Sequence, residues 1–163
     1  MRAKAETLFQ VWKIYQRRAE SIAHSFEADI RYYHYHWEEK SKLLKVVSYA
    51  FKSLNTLIDL ILIKPKTIII QLPPTPALYI VGVYSLLTNT PYIADCHNAM
   101  ILREWLQWPF AKKLLRNAAA VLVHNEDARF HAMKNEISAM VMRDPLPKEQ
   151  SIPNTGVTDR FRL

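Results

Sequence analysis

Polar and apolar positions change rhythm repeatedly along this chain, and the changes mark out alternating strands and helices. Residues 7–15 (TLFQVWKIY) are rich in β-branched and aromatic side chains and predict a first strand. Residues 17–26 put Ile22 and Phe26 on one helical face. Residues 28–37 (ADIRYYHYHW) alternate as a second strand, with His34 and His36 on a shared face. A long amphipathic helix follows over 40–63. Leu43, Val47, Leu54, Ile58 and Ile61 form its apolar stripe, and Ser41, Lys45, Ser48, Lys52, Asn55 and Asp59 its polar one, at alternating spacings of four and three. On an ordinary crossover helix the apolar stripe turns to the core and the charged stripe to solvent.

Pro65 ends that helix, and residues 67–71 (TIIIQ) read as a central strand buried on both faces. Residues 72–76 (LPPTP) open the next helix, with Thr75 as N-cap and Pro76 at its first position. This helix, 76–87, is apolar nearly all round and is expected to be well buried. Residues 92–96 (YIADC) form a fourth strand, with His97 and Asn98 just past its end. A short helix over 110–117 and a fifth strand over 119–123 come next. Asn125 then caps a helix whose first turn carries Glu126 and Asp127, well placed against its dipole. Residues 137–142 supply a sixth strand. From Asp144 onward prolines and mixed charge mark a linker. The expected organisation is one α/β domain over 1–143, a Rossmann-like doubly wound parallel sheet, followed by a tail over 144–163.

Composition narrows the function classes. The 163 residues suffice for one domain with a substantial core, and 50% apolar against 23% charged residues excludes a disordered chain. A net charge of +7 favours an anionic partner: nucleic acid, a phospholipid surface or a phosphorylated small molecule. The lone Cys96 rules out an internal disulfide and fits a reducing cytosol. Residues 1–6 are charged and no secretory signal follows them, so a cytoplasmic location is expected, with the cytoplasmic face of the membrane still open. The glycine-rich phosphate loops of dinucleotide-binding dehydrogenases and of P-loop NTPases are missing, since the two glycines are Gly82 and Gly156.

Ligands of such a sheet bind outside the carboxyl ends of the strands, which selects residues 15–18, 72–75, 95–98 and 124–126. Asp95 and His97, two apart, project to the same side of an extended backbone. A carboxylate beside an imidazole makes a general base or a cation for phosphate, while a capped turn with a packed histidine is the plainer alternative. Asn125 as a helix cap accounts for His124-Asn125-Glu126 without a binding role. Arg17 and Arg18 meet a helix N-terminus, where an anion site and a solvated basic turn are equally in keeping. His34 and His36 lack a third ligand at metal-like spacing, so no metal is expected. Cys96 is expected to be buried rather than nucleophilic.

The segments Gln71-Leu72-Pro73-Pro74-Thr75-Pro76-Ala77 and Pro91-Tyr92-Ile93-Ala94-Asp95-Cys96-His97-Asn98, with an apolar helix between them, resemble the N-terminal half of GT-B glycosyltransferases. The chain is most similar to family 4-like N-terminal domains and to the dolichol-linked β-mannosyltransferases, which carry a comparable Pro-Pro segment and D-x-H-N strand end. NAAAVLVHNED over 117–127 resembles a further segment of that domain, and MRDPLP over 142–147 the stretch leading into the second domain. The resemblance spans residues 7–147. It implies half of a GT-B fold, holding a glycan or lipid-linked acceptor while a C-terminal domain, in cis or in trans, binds the nucleotide-sugar donor. It implies no cofactor beyond that donor and no obligatory metal. It places His97 and Asp95 at the reacting sugar, with Asn98, Arg17, Arg18, Pro74, Thr75, His124 and Asn125 as substrate-binding positions. Gln16-Arg17-Arg18 stands where many members have glycines, and no donor-domain motif follows. The isolated chain is therefore expected to be inactive.

A second class is a non-catalytic, membrane-peripheral binding subunit that recruits a catalytic half. It draws on Lys40, Lys42, Lys45 and Lys52 of the long helix, with Trp105 and Trp108. Nucleic-acid binding rests on net charge alone, without a recognition motif, and is not expected.

Overall fold

Strands β1 (Thr7–Val11), β2 (Asp29–Tyr32), β3 (Thr67–Leu72), β4 (Tyr92–Cys96), β5 (Ala120–Val123) and β6 (Met140–Val141) join in one sheet, in the order β2-β1-β3-β4-β5-β6. Every pairing is parallel. The computed structural model describes residues 6–143, so the tail predicted over 144–163 lies outside the described residues. The α/β class and the single parallel sheet of six strands agree with the sequence pattern.

Helices α2 (Lys42–Ile63), α3 (Thr75–Thr88), α4 (Asn98–Leu102), α5 (Ala111–Asn117) and α6 (Glu126–Lys134) pack against one face of the sheet. Helix α1 (Arg17–Ser25) packs on the other through Ala19, Ile22 and Ala23. The alternation of strand residues feeds the two layers. Ile68, Ile70 and Leu72 point to the large layer and Ile69 to the α1 side, all fully buried, as a doubly covered central strand requires.

Both leading strands are shorter than their aromatic patterns predict. β1 stops at Val11 because Trp12 turns into the core, where its indole N–H donates to Thr56 Oγ1 at 2.9 Å. β2 has β1 as its neighbour and loses its partner there: Tyr33 N–H donates to Val11 O, and the chain then folds into a 3-10 turn over His36–Glu39. His34 and His36 therefore lie beyond the strand rather than on one face of it.

The long helix α2 reverses the expected polarity. Its polar stripe faces inward: Ser48, Lys52 and Thr56 are buried with Leu60, while Leu43, Phe51, Leu54, Ile61 and Leu62 are exposed. Each inward polar group has a partner. Lys52 meets Glu38, Thr56 accepts from Trp12, Asn55 donates to Tyr35 Oη, and Asp59 accepts from Tyr33 Oη. A lysine that is 1% exposed cannot reach a lipid surface, so Lys52 leaves the group of candidate membrane contacts.

Helix α3 is half-buried rather than fully so, with Val83, Leu86 and Leu87 open to the outside. Its N-cap is Pro74, not Thr75. Thr75 starts the helix and its buried hydroxyl donates instead to Trp105 O at 2.8 Å, tying the helix start to the segment after α4.

Candidate functional site

Strand order reverses between β1 and β3, and in an open parallel sheet the crevice at such a switch point is where a ligand fits. A cleft of about 850 Å³ opens there. Trp12, Lys13 and Tyr15 enter it from the loop after β1, Pro73 and Pro74 from the loop after β3, and Lys42, Lys45 and Tyr49 from the first turns of α2. Trp105 adds a further wall. The Leu72–Pro73 and Pro73–Pro74 peptides are both cis.

Four lysines line this cleft, against the carboxylates of Glu38 and Glu39. Glu38 is committed: its oxygens lie 2.7 and 2.9 Å from Lys52 Nζ, and His34 Nδ1 is 3.1 Å away. Burial alone would raise the Glu38 pKa. Hydrogen bonds from Lys52 and Ser48, with the Lys52 charge, outweigh it and hold the carboxyl below its usual range. Glu39 stands 3.8 Å from His34 Nε2 at the exposed edge. Among the described residues no carboxylate comes within ion-pair distance of Lys13, Lys42 or Lys45. Burial lowers the Lys13 pKa and the like charge of Lys45 lowers it further. An anion between these two ammonium groups would relieve their repulsion, and the aromatic walls suit a ring or an apolar group beside it.

The second group of candidates sits along the same strand ends. His97 is the N-cap of α4 and its backbone N–H donates to Leu72 O at 2.8 Å, which locks the end of β4 to the start of the Pro-Pro loop. His124 follows β5, and its ring centroid is 4.3 Å from that of His97. Asn125 Oδ1 caps α6 by accepting from Ala128 N–H at 2.8 Å, as expected, and its amide is 3.4 Å from Asn98 Oδ1. His97, Asn98, His124 and Asn125 thus form one half-open polar rim.

Arg17 and Arg18 separate. Arg17 is exposed at the start of α1, whereas Arg18 turns inward beneath the strand ends. Its Nε and Nη2 lie 2.9 and 2.8 Å from Asp95 Oδ1, and its Nη1 donates to Met142 O at 2.5 Å. Both partners are almost fully buried, Arg18 at 5% and Asp95 at 0% exposure. His97 lies past the end of β4, while Asp95, within the strand, ties α1 to β4 through Arg18, which also reaches Met142 just past β6. Gln71 Nε2 donates to Gln16 Oε1 at 2.9 Å, adding a second tie between the first loop and the sheet. Thr75, whose hydroxyl is occupied by Trp105, belongs to the cleft's scaffold, and Pro74 lines the cleft itself. Cys96 is fully buried and its thiol is pushed up, first by burial and then by Asp95.

Lys13, His34, Glu38 and Tyr49 were not among the residues selected from strand ends. Glu38 and His34 lie in a segment whose alternation mimics a strand, and Lys13 follows a strand that ends early. The regular polar stripe of α2 was the available signal for Lys52, although the stripe alone does not say which way it faces. No protein-family model, curated protein or solved structure matches the chain.

Proposed function

We propose that this chain is the acceptor-side half of a two-domain glycosyltransferase, with the cleft at the β1–β3 switch point as its acceptor site. The observation that carries the reading is the position of that cleft: its wall is the Pro73-Pro74 loop, part of the segment that resembles GT-B enzymes, and its lysines face an open ligand volume. Lys13, Lys42 and Lys45 hold an anionic group of the acceptor, and Trp12, Tyr49 and Trp105 flank its apolar or sugar portion. The nucleotide-sugar donor comes from a second domain facing the strand ends. His97 stands on the rim between them, next to His124. In an inverting transfer His97 takes the proton of the attacking acceptor hydroxyl; in a retaining transfer it contacts the donor sugar and stabilises charge as the bond to the nucleotide breaks. Asp95 serves by position: paired with Arg18, it fixes the strand end from which His97 projects.

The test is acceptor saturation in the assembled two-domain enzyme. Loss of two charge-assisted contacts in Lys13→Gln with Lys45→Gln raises the acceptor KM about 100-fold and leaves kcat nearly unchanged. An unchanged KM removes the cleft from the acceptor site. A second reading, a non-catalytic membrane-peripheral subunit, draws on the outward apolar face of α2 and predicts that the same cleft binds its ligand without any turnover in the assembled protein.

A further inference from the structure

Helix α2 is built inside out, and its two faces set opposite requirements. Its inner face is polar and fully engaged through Lys52–Glu38, Thr56–Trp12 and Asp59–Tyr33, so the helix cannot roll its apolar side inward without leaving several buried polar groups unpaired. Its outer face keeps large side chains in the open: Leu43 is 74% exposed, Leu62 76%, and Phe51, Leu54 and Ile61 about half. Leu86 and Leu87 of α3, both 78% exposed, continue the surface, because α2 and α3 pack side by side. Beyond them a groove of about 1000 Å³ between α3 and α5 is edged by Trp108 and Phe110. Exposed apolar area on this scale is unusual for a surface left to water.

The charges around the patch identify its occupant. From Lys42 to Ala94 the one acidic residue is Asp59, already hydrogen-bonded to Tyr33, and from Trp105 to Asn125 there is none. Lys64 stands at the C-terminal end of α2, and Lys112 and Lys113 stand beside the α3–α5 groove, whereas Lys42 and Lys45 line the cleft on the other side of the helix. Tyr35 and Trp37, stacked 5.2 Å apart, lie against Phe51 at the margin, an amphipathic pair suited to a headgroup boundary. An apolar strip edged by Lys64, Lys112 and Lys113, with Glu39 as the exposed acid at the Trp37 margin, carries a net positive rim that complements an anionic lipid surface. Length and hydropathy would let α2 cross a bilayer, but its polar inner face fastens it along its length to the sheet layer. The fitting geometry is a helix lying in the plane of the interface, with its apolar side in the acyl boundary and lysines at the headgroups.

We infer that the outer face of α2, continued by α3, docks this protein onto an anionic membrane with α2 parallel to the surface. The inference is independent of the transferase reading, since it rests on a different face and calls for no activity. The test is co-sedimentation of the full chain with phosphatidylcholine vesicles, with and without phosphatidylglycerol. The chain pellets with the anionic vesicles, and high salt releases most of it. Lys112→Gln with Lys113→Gln lowers partitioning into anionic vesicles about 30-fold, at about 1 kcal/mol per lysine. Leu54→Glu with Ile61→Glu abolishes partitioning while the thermal midpoint holds, because both side chains face outward.

A second measurement keeps the idea testable should that pair fail to fold. Cys96 is buried, so Leu54→Cys takes a polarity-sensitive dye selectively; its emission shifts to the blue on adding anionic vesicles. The same dye at Ser25→Cys, on α1 at the opposite side of the sheet, does not shift. Three results would overturn the inference: no pelleting at low salt, equal pelleting of the Glu variant, or a concentration-dependent dimer that the Glu variant dissolves without vesicle binding. The last would assign the face to a second copy of the chain.

Discussion

Arg18 and Asp95 meet where water is excluded, through two guanidinium contacts to Asp95 Oδ1. Removing one charge of such a pair leaves the other buried and uncompensated, at a cost of about 3–5 kcal/mol. Asp95→Asn is therefore expected to lower the thermal midpoint by roughly 10 °C. His97→Ala, on a half-open rim, is expected to change the midpoint little. In the two-domain enzyme proposed above, the same change would cut turnover by about 10²–10⁴-fold if His97 moves the acceptor proton. Melting curves and rates for the two variants separate the roles: a stable Asp95→Asn, or a His97→Ala that loses activity only by unfolding, would reverse these assignments. At this scale the sequence was partly legible. Asn125 declared itself as a cap, and its side chain accepts from Ala128 N–H. The partner of Asp95 was hidden because Arg18 lies 77 positions away and reaches it only once α1 has crossed the sheet.

Helix α2 shows what a periodic pattern leaves open. Alternating spacings of four and three establish two stripes, and the helix forms as those stripes predict. The direction of each stripe depends on partners elsewhere: Glu38 in a 3-10 turn, Trp12 past the end of β1, and Tyr33 past the end of β2. Those partners became available only because both leading strands end early, which their aromatic composition concealed. The Lys52–Glu38 pair makes the arrangement pH-sensitive. Because the Glu38 carboxyl is held below its ordinary 4.5, its contribution is fully present above that value and is lost as the pH falls through the folded-state pKa. Glu38→Gln removes this contribution and leaves Lys52 without its counter-charge, so it lowers the midpoint at neutral pH. The midpoints of wild type and Glu38→Gln should draw together on acidification below about pH 4.5. A constant gap down to acid would show that Glu38 contributes packing rather than charge.

At the scale of the whole molecule, a parallel sheet, a switch-point cleft and an outward apolar helix divide the labour of one domain. The sheet could be read from alternating strand and helix patterns because short apolar runs such as TIIIQ admit few other placements. The cleft could not be read in full, since its lysines come from a loop and a helix rather than from strand ends alone. If the cleft holds an acceptor and the strand ends face a donor-bearing domain, the chain alone lacks the groups that bind the nucleotide. The most direct measurement is transfer of labelled sugar from nucleotide sugars to glycan and lipid-linked acceptors. It is made with the purified chain, with the chain joined to a donor-binding domain encoded in continuation of it or beside it, and with the joined His97→Ala variant. The account predicts no transfer by the chain alone, transfer by the joined protein, and loss of that transfer in the variant. Robust turnover by the chain alone, or none by the joined protein, would contradict it.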